Sequence, residues 1–331
     1  MAQEPDTRQS IIYIMGYGRS GSTILDILLS NADDTTGVGE VSDVYGWAEK
    51  GLPCACGSQL DECEFWKPIL ARHLEHSNAE SLAETSQAQL GVESHRKYPF
   101  MALHLLGADT VAAYRRNMNS FFGEVFEQSK AKWIVDSSKT SIPLISRPVA
   151  LSRYTRFDVK GIFLTRDGRG VTWSEMKRAG SQERVLRFNS QAMRFLKTVA
   201  SWAIVNVLTS VSAFLMGSRN VLRVRYEDLC EAPVETLNRI GEFTGQDLTH
   251  VTETVRGDGE LSIGHNVAGN RVRFTKQLRF RPDYEWREKM RRRFRTAFWL
   301  AAWPIALALG YRRTPPSAEP AAPGEPLAQS R

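Results

Sequence analysis

The stretch IIYIMGYGRSGST, Ile11 to Thr23, restricts the fold more than any other part of the chain. Ile11 to Met15 is a continuous apolar run rich in β-branched residues, the pattern of a strand buried on both faces of a parallel sheet. It breaks into a glycine-rich loop, and Thr23 to Ser30 (TILDILLS) then shows helical spacing of Ile24, Leu25, Leu28 and Leu29. Strand, tight loop and helix in this order aim successive backbone N–H groups and a helix N-terminus at one point, where an anion fits. The spacing G-x-x-x-x-G-x-T from Gly16 is that of a phosphate-binding loop, with Ser22 where nucleoside triphosphatases carry lysine. That lysine reaches the β and γ phosphates, so its replacement disfavours γ-phosphoryl transfer and favours a nucleotide with a shorter phosphate chain. Arg19, inside the loop, supplies a planar cation suited to two oxygens at once.

Three later runs also read as strands: WIVD (Trp133 to Asp136), VKGIFLT (Val159 to Thr165) and NVLRVRY (Asn220 to Tyr226). Helical stretches separate them, among them Val185 to Met216, so the fold class is α/β, a P-loop-like parallel sheet flanked by helices. In such a sheet connections are right-handed and ligands sit at the carboxyl ends of the strands. Residues 71–130 are polar and helical in spacing, a helical insertion suited to shaping an acceptor pocket. Residues 11–311 read as a single domain between a flexible N-terminus, 1–10, and a Pro/Ala-rich tail, 312–331, expected to be disordered. With 42% hydrophobic residues among 331, a large core is available, and the net charge of +6 favours anionic partners. The opening MAQEPDTRQS lacks the pattern of a secretory signal, and four cysteines are too few for a disulfide framework. A reducing, cytoplasmic setting is expected.

A second strand-to-helix turn, FLTRDGRGVTWSEMKR, places Arg166 at a strand end and Ser174 in the following helix, where both can converge on one anion. Together the two segments resemble those of sulfotransferases that use 3′-phosphoadenosine 5′-phosphosulfate (PAPS). YGRSGST is similar to that family's 5′-phosphosulfate loop, LTRDGRGVTWS to its 3′-phosphate motif, VRYEDL to the segment whose tyrosine lies against adenine, and HNVAGNRVRF to a late loop that covers the nucleotide. The resemblance implies that Arg19, Ser20, Gly21, Ser22 and Thr23 hold the 5′ end of the donor, that Arg166 and Ser174 hold the 3′-phosphate, that Tyr226 meets the adenine and that Arg273 closes over the 3′-phosphate.

Sulfuryl transfer needs charge stabilisation at the transferred group and a base for the acceptor proton. Cytosolic members of the family carry a lysine and, two residues on, a histidine; here Lys139 matches the lysine, but Ser141 stands at the histidine position. Glu40, in TGVGEVSDV, resembles the base of the tyrosylprotein branch, which shares an arginine in the first loop and RDGR in the second. The expected catalytic set is therefore Glu40, Arg19 and Lys139, acting in in-line displacement onto a hydroxyl, less readily an amine. The acceptor is expected on a small molecule, glycan or lipid; no nucleic-acid partner is expected. No metal is required by this scheme: Cys54, Cys56 and Cys63 offer three thiolates, one short of a structural zinc set, and are expected as reduced thiols in a compact loop. Basic REKMRRRFR leading into the apolar segment up to Tyr311 is either a terminal helix on the core or a peripheral membrane contact through 287–311, too short for a span. A P-loop kinase or NTPase, and a non-catalytic nucleotide-binding module, remain as alternatives.

Overall fold

The computed structural model describes residues 9–94, 103, 105–140, 144–182, 188–257, 259–269 and 283–314. Its centre is β1 (Ser10–Met15), followed by α1 (Ser22–Ser30), β2 (Thr35–Gly39) and α2 (Val44–Glu49). Three helices follow: α3 (Trp66–Ser77), α4 (Leu82–Glu93) and α5 (Ala108–Ser129). The chain then returns to the sheet through β3 (Trp133–Asp136), α6 (Arg147–Tyr154) and β4 (Asp158–Thr165). Beyond these come α7 (Gly168–Gln182), α8 (Phe188–Met216) and β5 (Val221–Arg225). The remainder is helical: α9 (Tyr226–Glu231), α10 (Pro233–Thr244), α11 (Thr249–Arg256), α12 (Glu285–Lys289) and α13 (Arg292–Ala308).

Among the described residues the strands form one parallel sheet in the order β2-β3-β1-β4-β5. β1 is buried throughout, and its alternation decides the layering. Ile11, Tyr13 and Met15 join the core built with α3 to α8 and α13, whereas Ile12 and Ile14 join the core built with α1, α10 and α11. A strand with an apolar layer on each face has no polar side to show, which is why its sequence does not alternate.

β2 is the strand that hydrophobic patterning does not reveal. TTGVG holds two glycines, runs along the sheet edge and shifts register between Gly37 and Gly39, so no apolar period marks it although Gly37, Val38 and Gly39 are buried. The expected insertion, residues 71–130, spans most of α3, with α4 and α5, whose aromatic side chains Phe121, Phe122 and Phe126 enter the larger core.

β3 ends on a buried ion network. Arg147 donates to both oxygens of Glu93, at 2.7 and 2.9 Å, and to Asp136 Oδ2 at 2.9 Å, with all three side chains at most 1% exposed. Tyr114 and Gln89 also donate to Glu93, each at 2.8 Å, so its carboxylate is saturated with donors, as a buried charge requires. Asp136 thus sets where the turn to Lys139 begins.

At the C-terminus, Phe298, Ala302 and Ala306 of α13 face the core, while Leu300 is 73% and Trp303 49% exposed. The chain stays docked beyond the helix: Arg169 donates to the carbonyls of Arg312 and Arg313. The tail from 315, like residues 1–8, lies outside the described residues.

Candidate functional site

Every strand of the sheet delivers a polar residue to its carboxyl end. Read across the sheet, Glu40 follows β2, Lys139 follows β3, the Gly16 to Gly21 loop follows β1, Arg166 follows β4 and Tyr226 follows β5. These ends surround a cleft of about 550 Å³, within the range of small-ligand sites. Its lining includes Arg19, Gly21, Ser22, Thr23, Glu40, Lys139, Arg166, Ser174 and Tyr226, nine of the residues singled out from sequence. Ser20 lies just beneath, and Arg273 lies outside the described residues, as does Ser141.

The first loop is held from both sides. Gly16 N–H donates to Thr140 Oγ1 at 2.9 Å, and Thr140 N–H returns a bond to the Gly16 carbonyl at 3.1 Å. Gly21, at φ 93°, lies so close to Tyr226 that a Cβ there would meet the ring at 2.6 Å. Only glycine combines that left-handed backbone with that contact. Ser20 Oγ is buried without a hydrogen-bond partner, an unusual state for a hydroxyl and one that a bound anion's oxygen would resolve. Gly21, at the head of α1, offers no side-chain cap, so the helix N-terminus keeps its N–H groups open.

Two arginines fasten the loop to the second motif. Arg19 Nε donates to Ser174 Oγ at 3.1 Å and lies 3.6 Å from Glu175. Arg166 donates to the Arg19 carbonyl at 3.0 Å and to the Asp283 carbonyl at 2.9 Å, and stacks over the Tyr226 ring at 4.4 Å. Its sequence neighbour Asp167 does not neutralise it, because Asp167 is engaged by Arg169 at 2.7 and 3.0 Å. Asp167 is thus paired two residues on, and Arg166 lines the cleft. Asp283 caps the arrangement: its N–H donates to the Tyr226 hydroxyl at 3.1 Å, and its carboxylate lies 3.4 Å from Arg166. Carboxylates of Glu175 and Asp283 occupy guanidinium faces that a phosphate would use, so anion binding exchanges one set of oxygens for another.

Opposite, Lys139 donates to Glu40 Oε1, each side chain about one-fifth exposed. Lys139 sits in left-handed backbone at φ 66° and Arg19 at φ 67°, conformations uncommon for non-glycine residues and concentrated at functional sites. The turn at Lys139 is braced by Tyr13, whose hydroxyl donates to its carbonyl at 2.5 Å, and by Asp136, which accepts from Ser138 N–H at 2.9 Å. Ser42, Asp43, Trp47 and Asp283 also line the cleft and were not found from sequence, because they lie in a short turn, a short helix and a loop without a motif.

Below the loop, Asp26 of α1 is wholly buried and accepts from Ser137 at 2.5 Å and Ser30 at 3.0 Å. Burial outweighs those hydrogen bonds and pushes its carboxyl up to about 7. Tyr226 is likewise pushed up by burial, with Arg166 opposing, so the phenol is neutral. The expectation of a three-thiol loop with no fourth donor is corrected: His265 joins Cys54, Cys56 and Cys63, all four donor atoms within 4.8 Å of one another.

The family model described as Sulfotransferase family matches residues 11–250. No curated protein sequence matches the chain. Among solved structures, the sulfotransferase domain from the curacin biosynthetic pathway gives a TM-score of 0.48 at 17% identity, over 92% of this chain and 98% of that one. A sulfotransferase from Alicyclobacillus acidocaldarius gives 0.47 at 13% identity, covering 92% and 97%. A mouse sulfotransferase complexed with PAP gives 0.46 at 11% identity, covering 91% and 88%.

Proposed function

This chain belongs to the sulfotransferase family, and from that premise we propose that it transfers a sulfuryl group from PAPS to a hydroxyl acceptor. The observation that carries the reading is the convergence of two anion-binding motifs and an acid–lysine pair on one cleft at the sheet's carboxyl edge. The residues present fit such a donor: an unpartnered buried Ser20 hydroxyl, an uncapped helix N-terminus and Arg19 for one anionic end, with Arg166 and Ser174 for the other. Tyr226, stacked with Arg166, lines the cleft where the donor's base would lie. Bound there, the donor supplies the sulfuryl group and adenosine 3′,5′-bisphosphate as its leaving group.

Glu40 accepts the acceptor's proton. Lys139 engages Oε1, which leaves Oε2 for the incoming hydroxyl. As charge develops on the leaving phosphate, Lys139 and Arg19 offset it, a role suited to cations in a partly enclosed cleft. The acceptor side is formed with α4, since Gln89 donates to the Ser42 carbonyl at 3.0 Å and so ties the helical insertion to the cleft wall. The acceptor hydroxyl belongs to a small molecule, a glycan or a lipid. The exposed apolar edge of α13 supports peripheral membrane contact through 287–311.

Incubating the protein with labelled PAPS and cell extract, then identifying labelled products by mass spectrometry, tests the reading. A sulfated product with release of adenosine 3′,5′-bisphosphate is expected. Magnesium-dependent ATP turnover without sulfuryl transfer would overturn it in favour of a P-loop NTPase, and nucleotide binding without transfer to any acceptor in favour of a binding module.

A further inference from the structure

The loop between α2 and α3 and the segment after α11 meet at Cys54, Cys56, Cys63 and His265. We propose that these four residues bind one zinc ion in a closed, tetrahedral, structural site. Cys56 Sγ lies 3.7 Å from Cys63 Sγ, Cys54 Sγ lies 3.8 Å from His265 Nδ1, and Cys63 Sγ lies 3.3 Å from the same nitrogen. With Zn–S near 2.3 Å and Zn–N near 2.0–2.1 Å, a tetrahedron has edges of about 3.6–3.8 Å; these three separations lie close to that length, and all four donor atoms are within 4.8 Å of one another. The sulfurs are too far apart to be bonded, since a disulfide needs about 2.05 Å, and all three cysteines are free. Three thiolates and an imidazole are a soft donor set, and four protein ligands leave no open position for catalysis.

The surroundings orient each ligand. Pro53 and Gln59 pair across an antiparallel bridge, and the turn is closed by Cys54 N–H to the Ser58 carbonyl at 2.9 Å. Backbone N–H groups point at the sulfurs: that of Cys56 at Cys54, that of Ser58 at Cys56, and those of Phe65 and Trp66 at Cys63. Amide donors of this kind favour thiolate and are the outer shell a metal site needs. The His265 ring stacks on Phe65 at 5.1 Å and 12°, and Trp66 Nε1 donates to the His265 carbonyl at 2.6 Å. Cys54 and Cys63 are buried while Cys56 is exposed, so an ion has a way in. On binding, each thiol gives up its proton to solvent as its sulfur takes the metal.

The site also has a place in the architecture. Just beyond His265, Val267 accepts from Glu40 N–H at 2.8 Å and donates to the Val38 carbonyl at 3.0 Å, and Ala268 and Gly269 line the cleft. A Cβ on Gly269 would lie 3.3 Å from Glu40 Oε1. Zinc at His265 thus fixes the segment that carries the wall beside Glu40, although none of its ligands lines the cleft itself.

Elemental analysis of untagged, full-length protein tests the proposal. About one zinc per chain is expected after extensive dialysis, falling at least tenfold in Cys56→Ser and Cys63→Ser and retained in His265→Cys and Cys230→Ser. Should the serine variants fail to fold, cobalt(II) substitution of the wild type is expected to give tetrahedral d–d bands with a thiolate charge-transfer band. Wild-type protein with less than about a tenth of a zinc per chain and no such bands overturns the assignment. So does full zinc in both serine variants, or a Cys56–Cys63 disulfide in protein isolated anaerobically.

Discussion

Arg19 and Lys139 reach the cleft from left-handed backbone, and that conformation, not merely their charge, aims them. In the proposed reaction Glu40 serves the acceptor and Arg166 the donor. Glu40→Gln is expected to lower kcat by about 10²–10⁴ with the affinity for adenosine 3′,5′-bisphosphate unchanged. Arg166→Ala is expected to weaken that affinity by about 10–100-fold, since it removes charge-assisted hydrogen bonds. Calorimetric titration beside steady-state rates separates the two, and wild-type affinity in the arginine variant or full turnover in the glutamate variant would refute the assignments. Asp26 gives a pH dependence. Its carboxyl keeps a proton up to about pH 7 in the fold, whereas an unfolded aspartate loses its proton near 4. The folded state therefore binds more protons across that window, and stability falls as pH rises from about 4 to 7. Asp26→Asn should remove the fall, so the difference in Tm between variant and wild type grows across the window and then levels. A constant difference would mean that Asp26 is ionised in the fold. Arg19, Arg166 and Ser174 were legible because their motifs are local. Asp26 was not, because nothing in TILDILLS shows that Ser137 and Ser30 close over its one acid.

At the level of elements, what the sequence discloses follows apolar, β-branched composition. β1, β3 and β4 are apolar runs buried on the sheet and can be read directly; β5 is an edge strand with only Val224 buried, yet its valines and leucine mark it, whereas β2 is a glycine-containing edge strand and has no such signature. Glu40 was therefore reached through resemblance, without the strand that positions it. Likewise no pattern links Arg147, opening α6, to Glu93 at the end of α4 and Asp136 at the end of β3. That link holds the turn to Lys139. Arg147→Leu would leave two carboxylates facing each other in the core, and a loss of about 3–5 kcal/mol in urea unfolding is expected. A change below about 1 kcal/mol would show that the carboxylates take up protons and tolerate the loss.

Over the whole molecule, one side remains apolar. α8 has the length and composition to cross a membrane, yet only 39% of its apolar window is buried, and Phe214 is 81% exposed. Trp202 of the same helix is fully enclosed and its ring packs on Phe298 of α13, so α8 packs on the core along one face and carries an outward apolar edge. Beside it, α13 presents Leu300 and Trp303 next to the basic run from Arg291 to Arg295. Cosedimentation with vesicles containing anionic lipid is expected for the wild type, and the double variant Leu300→Glu, Trp303→Glu should remain in the supernatant. Equal behaviour of the two would rule the surface out as a lipid contact. The position of β1 in the middle of the sheet has a different kind of consequence. Ser10 pairs with Trp133 on one side and with Asp158 on the other, so the strand that carries the first anion loop has no partner until β3 and then β4 have been made. During synthesis SIIYIM leaves the ribosome long before either edge can be covered. The most apolar strand of the sheet must wait the longest, which makes it the segment most in need of a chaperone and the first place from which misassembly would spread.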